Sequence, residues 1–335
     1  YSRKFQNIFL TNKIPEIKKK IKHFSLSDGK YIFKIIKKSK RYILGVSTLN
    51  FKLYPKQGFN IPESFYNSEE QFKLYKKTIK AIKHLKYDAV GLSYIQDAKI
   101  IKKIKNIIPD KIIVSKIENS LGYTNSSSII KLSEAIMLDR GDLYAEIGPQ
   151  KFFKAIEDIS IETKKNRKIL IMATENLETM ISTNVPTKND IIALGHSKKL
   201  NVDMIMLSAE TAMNKDYLSI LKWLSNYLKE KNIKEKKYLK HDLFWDTVSK
   251  LDNFPLIIFS KKGFALNYLT NITNIQKVFI FTANKKIHLL NNMKSNIKSF
   301  LLDNFGKKDN NSIIIKQLSK YKNIIFDNSD FAYII

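Results

Sequence analysis

At 335 residues the chain is long enough for two or three hydrophobic cores, and a hydrophobic fraction of 44% with 20 phenylalanines excludes a disordered chain. There is no cysteine, which excludes a disulfide framework. The formal net charge is +28, but arginine occurs only at Arg3, Arg41, Arg140 and Arg167, and the other 55 cations are lysines spread through every segment; this points to solvated faces and away from a nucleic-acid partner, whose base and phosphate contacts favour arginine.

Residues 1–62 read as a small β-rich unit. IPEIKKKIKHF (14–24) and YIFKIIKKSKRYILGVSTL (31–49) alternate apolar residues with lysine, the period of half-exposed strands. Asp28 and Gly29 between them fit a hairpin turn, and Gly58 and Pro62 mark the exit.

Residues 63–240 read as a run of strand–helix units. A helix is expected over 68–83, with Ser68 as its N-cap and Glu70 in its first turn. A strand over 88–95 and a helix over 97–107 follow. Short apolar runs at 112–117, 135–138, 169–173 and 203–207 are expected to be buried strands, with helix-length gaps at 126–133, 150–163 and 189–198. Five such units in series predict a parallel sheet with helices packed on it. No apolar run reaches the ~18 residues that a membrane span needs, so no membrane partner is expected.

Residues 241–335 read as a further α/β unit. Strands are expected at 256–259 and 278–282, helices at 263–269 and 285–293, and one more strand at 324–326. SKKG (260–263) sets a hydroxyl and lysines near a helix start, where an anion could bind; an ordinary polar loop is the plainer reading.

The chemistry gathers at the ends of the middle strands. The run at 112–114 leads to Lys116 and Glu118, and the run at 135–138 leads to Arg140 and Asp142. The run at 169–173 is followed by Thr174, Glu175 and Asn176, and the run at 204–207 by Ser208, Glu210 and Thr211. Charged groups on successive strand ends are what an α/β enzyme needs at the carboxyl edge of its sheet. Lys116 and Glu118 share a face of an extended strand. Glu118 and Asp142 offer carboxylate oxygens for a hard divalent cation, and Lys116 beside them offers a fixed positive charge to an anionic transition state. The alternative is a set of rim charges paired with each other and chemically idle.

SKIEN (115–119), IMLDRGDL (136–143), IMATENLETM (171–180), VPTKND (185–190) and MLSAETA (206–212), in that order and spacing, resemble the catalytic half of pyruvate kinase. LSDGK (26–30) and KQGFNIP (56–62) more weakly resemble the small lid domain of that family, DAVGLSYI (88–95) its fourth barrel strand, and FPLIIFSKKG (254–263) with VFIFTAN (278–284) the start of its carboxyl-terminal domain. The resemblance implies a partial TIM (β/α)8 barrel, its last five βα units, behind a small β lid and before an α/β carboxyl-terminal domain. The expected divisions are 1–62, 63–240 and 241–335.

What the resemblance implies about function is phosphoryl transfer from phosphoenolpyruvate to ADP in glycolysis, giving pyruvate and ATP. It implies Mg²⁺ or Mn²⁺ held by Glu118 and Asp142, and Lys116 and Thr174 as catalytic groups. Substrate would be bound by Lys116, Gly141, Asp142 and Thr174, and Lys56 would help to hold ADP. It implies a homo-oligomer, a tetramer in the family, and a cytoplasmic location, a plastid or other organelle being compatible. The family's first three barrel strands, with an Arg that binds the transferring phosphate and the Asn, Ser and Asp that hold K⁺, have no counterpart in these 335 residues. If the 335 residues are the whole chain, the expectation that follows is weak turnover with little K⁺ dependence; the other readings are a fragment of a longer product, strands supplied from elsewhere, and a non-catalytic or decayed subunit.

Several positions depart from the family pattern. Gln57 stands where a lysine is usual in the lid motif, Tyr144 replaces a Gly, Glu175 and Asn176 replace Gln-Met, Lys188 replaces Arg, and Ala209 replaces Gly. The substitution Lys116→Met is expected to abolish turnover and leave the fold intact. Lys188 is expected to weaken a subunit contact.

Overall fold

In the computed structural model the described residues are 21–26, 29, 31–39, 41–47, 50, 58–61, 67–229, 255–260, 277–294, 297–303, 310–325 and 333–334. Their strands form three sheets. The first is antiparallel and contains β1 (His23–Leu26), β2 (Tyr31–Lys38), β3 (Ile43–Val46) and β4 (Phe59–Asn60), in the order β3-β2-β1-β4. Its alternation puts Phe24, Leu26 and Ile61 into one small core and leaves Ile32 and Ile36 exposed on the other face.

The second sheet is parallel, with β5 (Ala89–Leu92), β6 (Ile112–Ile117), β7 (Ala135–Asp139), β8 (Ile169–Ala173) and β9 (Met204–Met206) lying side by side in sequence order. Among the described residues β5 and β9 do not pair with each other, so the five strands form an open arc. The helices of this part are α1 (Ser68–Ala81), α2 (Ala98–Ile107), α3 (Ser120–Thr124), α4 (Ser126–Leu132), α5 (Arg140–Ile147), α6 (Pro149–Lys165), α7 (Lys188–Lys199), α8 (Ala209–Ala212) and α9 (Tyr217–Lys229). The cap of α1 corrects the sequence expectation. Ser68 is already helical, and the side chain of Asn67, one residue earlier and extended, accepts the N–H groups of Glu69 and Glu70.

Both faces of the three central strands, β6, β7 and β8, are buried, which is why these strands read as apolar runs. Outward, Ile113, Ile117, Ile136, Leu138, Leu170 and Met172 meet helix residues such as Ile101, Ile104, Ile130 and Ile159. Each such fully buried side chain contributes roughly 1.5–3 kcal/mol by leaving water. Inward, Ile112, Val114, Ala135, Ile169 and Ile171 form a separate cluster with Met137 and Met206.

The third sheet is parallel, in the order β12-β11-β10-β13. It contains β10 (Leu256–Phe259), β11 (Val278–Thr282), β12 (Ile297–Leu301) and β13 (Tyr333–Ile334), with helices α10 (Lys285–Asn292), α11 (Asn310–Lys320) and α12 (Lys322–Ile325). Two expectations change here. Residues 324 and 325 are helical, in α12, where a strand was expected, and the sheet is completed by β12 and β13, which the apolar pattern did not signal. Ile325 packs into the core of this layer beside Phe279, Phe281 and Phe300, so tertiary contact outweighed the β-propensity of a short Ile-Ile-Phe run. The expected helix over 263–269 lies outside the described residues.

The third layer closes the arc. Leu289 and Leu290 of α10, with Met293 just beyond it, pack on the inward cluster of the five-stranded sheet. Lys286 of α10 meets Glu134 at 3.1 Å and donates to the carbonyl of Pro109, and Lys285 lies 3.4 Å from Asp88.

Candidate active site

Strand alternation carries Lys116 to the inner face of β6, in line with Ile112 and Val114, and carries Asp139 to the inner face of β7, in line with Ala135 and Met137. Beyond the last apolar pair both side chains stand at the carboxyl edge of the arc. Lys116 Nζ lies 2.6 Å from Glu118 Oε1 and 3.3 Å from Asp139 Oδ2. Glu118 is wholly buried, and its other oxygen accepts the N–H of Tyr94, a residue held at φ 55° in the loop after β5.

The helix α5 starts directly after β7, so the same chain reversal supplies Asp139, Arg140, Gly141 and Asp142. Asp142 falls in its first turn, where a negative charge is favoured. The amide of Asn60, at the end of β4, donates to Asp142 Oδ1 at 3.5 Å. The β1–β2 turn approaches from the same side: a Cβ on Gly29, at φ +88°, would stand 3.3 Å from Ala145 Cα of α5, so glycine suits both the backbone and the space. The antiparallel unit therefore leans on the helix that carries Asp142.

Glu118, Asp139 and Asp142 each present one oxygen, and these oxygens lie within 4.8 Å of one another. Three oxygen donors and no nitrogen or sulfur suit Mg²⁺ or Mn²⁺. Burial pushes the Glu118 carboxyl up to about 7, against the pull of Lys116. Burial alone would lower the Lys116 ammonium, yet Glu118 and Asp139 together hold it above the ordinary lysine range. Burial, and then the charge of Glu118, push the Tyr75 phenol well above its usual range.

Thr174 directly follows β8 and lies in the left-handed region at φ 58°, followed by Glu175 at φ 49°. A β-branched residue there is strained, and the surroundings hold it. Arg140 donates from Nε to the Thr174 carbonyl at 3.1 Å and from Nη2 to the same oxygen and to Asn176 Oδ1 at 3.0 Å. Asn176 in turn donates to the carbonyl of Met206 at the end of β9. Glu210 accepts from the N–H groups of Ser208 and Leu177. The Thr174 hydroxyl accepts the Gly141 N–H at 3.1 Å and lies within donating distance of Asp139 Oδ1, also at 3.1 Å.

The structure thus brings together Lys116, Glu118, Gly141, Asp142 and Thr174 from three strand ends. Lys56 lies outside the described residues. The Gly141 N–H, expected to meet a substrate carboxylate, is engaged by Thr174. Sequence reasoning passed over Asp139, Asn60 and Tyr94. Asp139 was accessible to it: two residues beyond Met137 on a strand whose alternation faces Lys116, it had to join the same edge.

A family model described as pyruvate kinase, barrel domain, matches residues 5–218. The pyruvate kinase of Encephalitozoon cuniculi is 35% identical over 127 residues, covering 38% of this chain and 30% of that relative. The pyruvate kinase of Thermotoga maritima is 28% identical over 221 residues, covering 65% of this chain and 47% of that relative. The chain therefore spans less than half the length of these curated relatives. Among solved structures, a Cryptosporidium parvum pyruvate kinase superposes with a TM-score of 0.71 over 94% of this chain and 71% of its own, and one in complex with ADP with a TM-score of 0.74, both at 19% identity. At that identity the superpositions speak for the fold.

Proposed function

The chain belongs to the pyruvate kinase family, and on that premise we propose that it moves the phosphoryl group of phosphoenolpyruvate to ADP, the glycolytic step that forms ATP and pyruvate. The observation that carries this reading is the convergence of Lys116, three carboxylates and the Thr174 hydroxyl at the carboxyl edge of one parallel sheet. The phosphoryl group leaves the enol oxygen for a terminal oxygen of ADP, and the enolate left behind takes a proton on carbon.

Each residue has a task in this reaction. Glu118 and Asp142 would hold Mg²⁺ or Mn²⁺, which when bound supplies neutralising charge to the phosphate oxygens. The Lys116 ammonium meets the charge that grows on the transferring group and on the enolate, at a buried edge where such charges interact strongly. The backbone N–H of Asp142, in the first turn of α5, orients the substrate carboxylate. The Thr174 hydroxyl holds a proton near the enolate carbon. Lys56 would assist ADP.

We also read residues 1–62 as the lid, 63–240 as the barrel half and 241–335 as the carboxyl-terminal domain. A homo-oligomer joined in part through α7 fits the exposure of Val185 and Ile192 on that side of the molecule. Among the described residues no helix is long and apolar enough to cross a membrane, and a cytoplasmic location is the reading we adopt; one pyruvate kinase relative is chloroplastic.

The test is pyruvate release from phosphoenolpyruvate in the presence of ADP and Mg²⁺ or Mn²⁺, with ATP measured in parallel. Matched formation of both, lost in Glu118→Gln, is expected. Cation binding without any turnover would favour the non-catalytic subunit.

A further inference from the structure

We propose that Asp139 is a third carboxylate of the cation centre and a positioning residue for Lys116 and Thr174; this rests on the reading of the site given above. Four observations carry it. Asp139 is almost fully buried, one of its oxygens lies 3.3 Å from Lys116 Nζ, and the other lies 3.1 Å from the Thr174 hydroxyl. It also completes the group of oxygens within 4.8 Å with Glu118 and Asp142. A single side chain thus links β6, β7 and β8 at the reacting edge.

The charge count gives this residue a specific effect. With Glu118 and Asp142 alone beside Lys116, the ionised site carries one net negative charge, and a divalent cation turns it positive. With Asp139 added, it carries two, and the same cation brings it only to neutrality. At separations of a few ångströms in a buried edge such differences are large. Asp139 therefore strengthens the hold on the cation and weakens the hold on an anionic phosphate ester. It also orients Lys116 by giving its ammonium a second partner on the neighbouring strand.

The experiment uses the full chain and its Asp139→Asn variant, which keeps the size and an acceptor for Thr174. Mn²⁺ binding is measured by titration calorimetry or electron paramagnetic resonance, and phosphoenolpyruvate binding is measured on the Mn²⁺-saturated chain. The expected result is a loss of about ten- to a hundred-fold in Mn²⁺ affinity, together with tighter binding of phosphoenolpyruvate and an unchanged far-ultraviolet circular dichroism spectrum. A merely structural role would weaken both ligands together. Equal Mn²⁺ affinity, or phosphoenolpyruvate bound no tighter, would overturn the inference. If Asp139→Asn does not fold, Asp139→Glu, which keeps the charge and lengthens the reach, must retain Mn²⁺ binding within about tenfold or the inference fails. A wild-type chain that binds Mn²⁺ but not phosphoenolpyruvate would count against the pyruvate kinase reading, and the Mn²⁺ arm alone would then decide the role of Asp139. A wild-type chain that binds no Mn²⁺ would overturn both.

Discussion

Lys286 Nζ stands 3.1 Å from Glu134 Oε1 and joins α10 of the third layer to the amino-terminal end of β7 in the second. Glu134 also receives Lys105 at 2.7 Å and the Ile113 N–H at 3.0 Å, and these partners outweigh its burial and hold its carboxyl below the ordinary range. The ion pairs frame an apolar contact, Leu289, Leu290 and Met293 against Ile169, Ile171 and their neighbours. In a closed barrel the strands themselves fill this space. Here a helix from the next layer does so.

The substitution Leu290→Asp should therefore destabilise the five-stranded sheet, and not only the layer that contains α10. Placing an unpaired carboxylate against the inner apolar face is expected to cost a few kcal/mol. Urea unfolding followed by circular dichroism reads this directly. An unchanged midpoint would show that α10 does not seal the arc.

Lys294 lies buried just past α10, and burial, with the repulsion of Lys164, lowers its ammonium to about 7 despite the attraction of Asp203. The unfolded chain then binds more protons than the folded one between about pH 7 and the ordinary lysine value, so stability rises with pH through that window and is flat below it. Lys294→Met should stabilise the protein at pH 6, with a gain that shrinks as pH rises toward 10. Parallel melting curves for the two proteins, with no convergence at high pH, would contradict this.

Lys116→Met should abolish turnover, as the sequence reading expects, but the structure changes the second half of that expectation. Removing the ammonium leaves the wholly buried Glu118 without its 2.6 Å partner. Breaking a buried pair in this way costs about 3–5 kcal/mol. The loss should be smaller at pH 6 than at pH 8, because Glu118, already raised to about 7, is protonated at the lower pH and needs no counter-charge. Thermal melts at the two pH values measure the difference; equal losses would mean that Glu118 does not carry the effect.

Arg140→Lys should loosen the strained turn at Thr174. A lysine cannot span the Thr174 carbonyl and Asn176 Oδ1 as the guanidinium fork does. The lost hydrogen bonds to a charged group are worth about 1.5–3 kcal/mol, and the left-handed Thr174 is then free to relax. A lower melting temperature and faster amide exchange at residues 174–177 are expected. Unchanged exchange there would show that the turn holds itself.

The helix α7 is set by a capping box, in which the Thr187 hydroxyl accepts the Asp190 N–H and the Asp190 carboxylate accepts the Thr187 N–H. This rigid start presents Val185 and Ile192 outward. Sedimentation of the wild-type chain should show concentration-dependent association, and Ile192→Glu should abolish it. A wild-type monomer at every concentration would remove α7 as a contact.

The amino-acid order alone determined much of this protein. Apolar runs of three to five residues followed by polar or charged groups marked β6, β7 and β8, because a strand covered on both faces must be apolar until it reaches the edge. The same runs placed Lys116, Glu118, Asp142 and Thr174 at strand ends, and their wording carried the family. Tertiary structure decided the rest. Which carboxylates meet depends on the lateral register of β6, β7 and β8, which pairs Lys116 with Met137 and Asp139 with Ala173, and no local period encodes a register between strands. Whether 324–325 would be strand or helix depended on the aromatic core beneath it. That α10 would cover the inner face of the arc depended on contacts more than a hundred residues apart in the chain, where burial of apolar surface rewards any element of suitable shape and the sequence pattern of α10 states only that one of its faces must be covered.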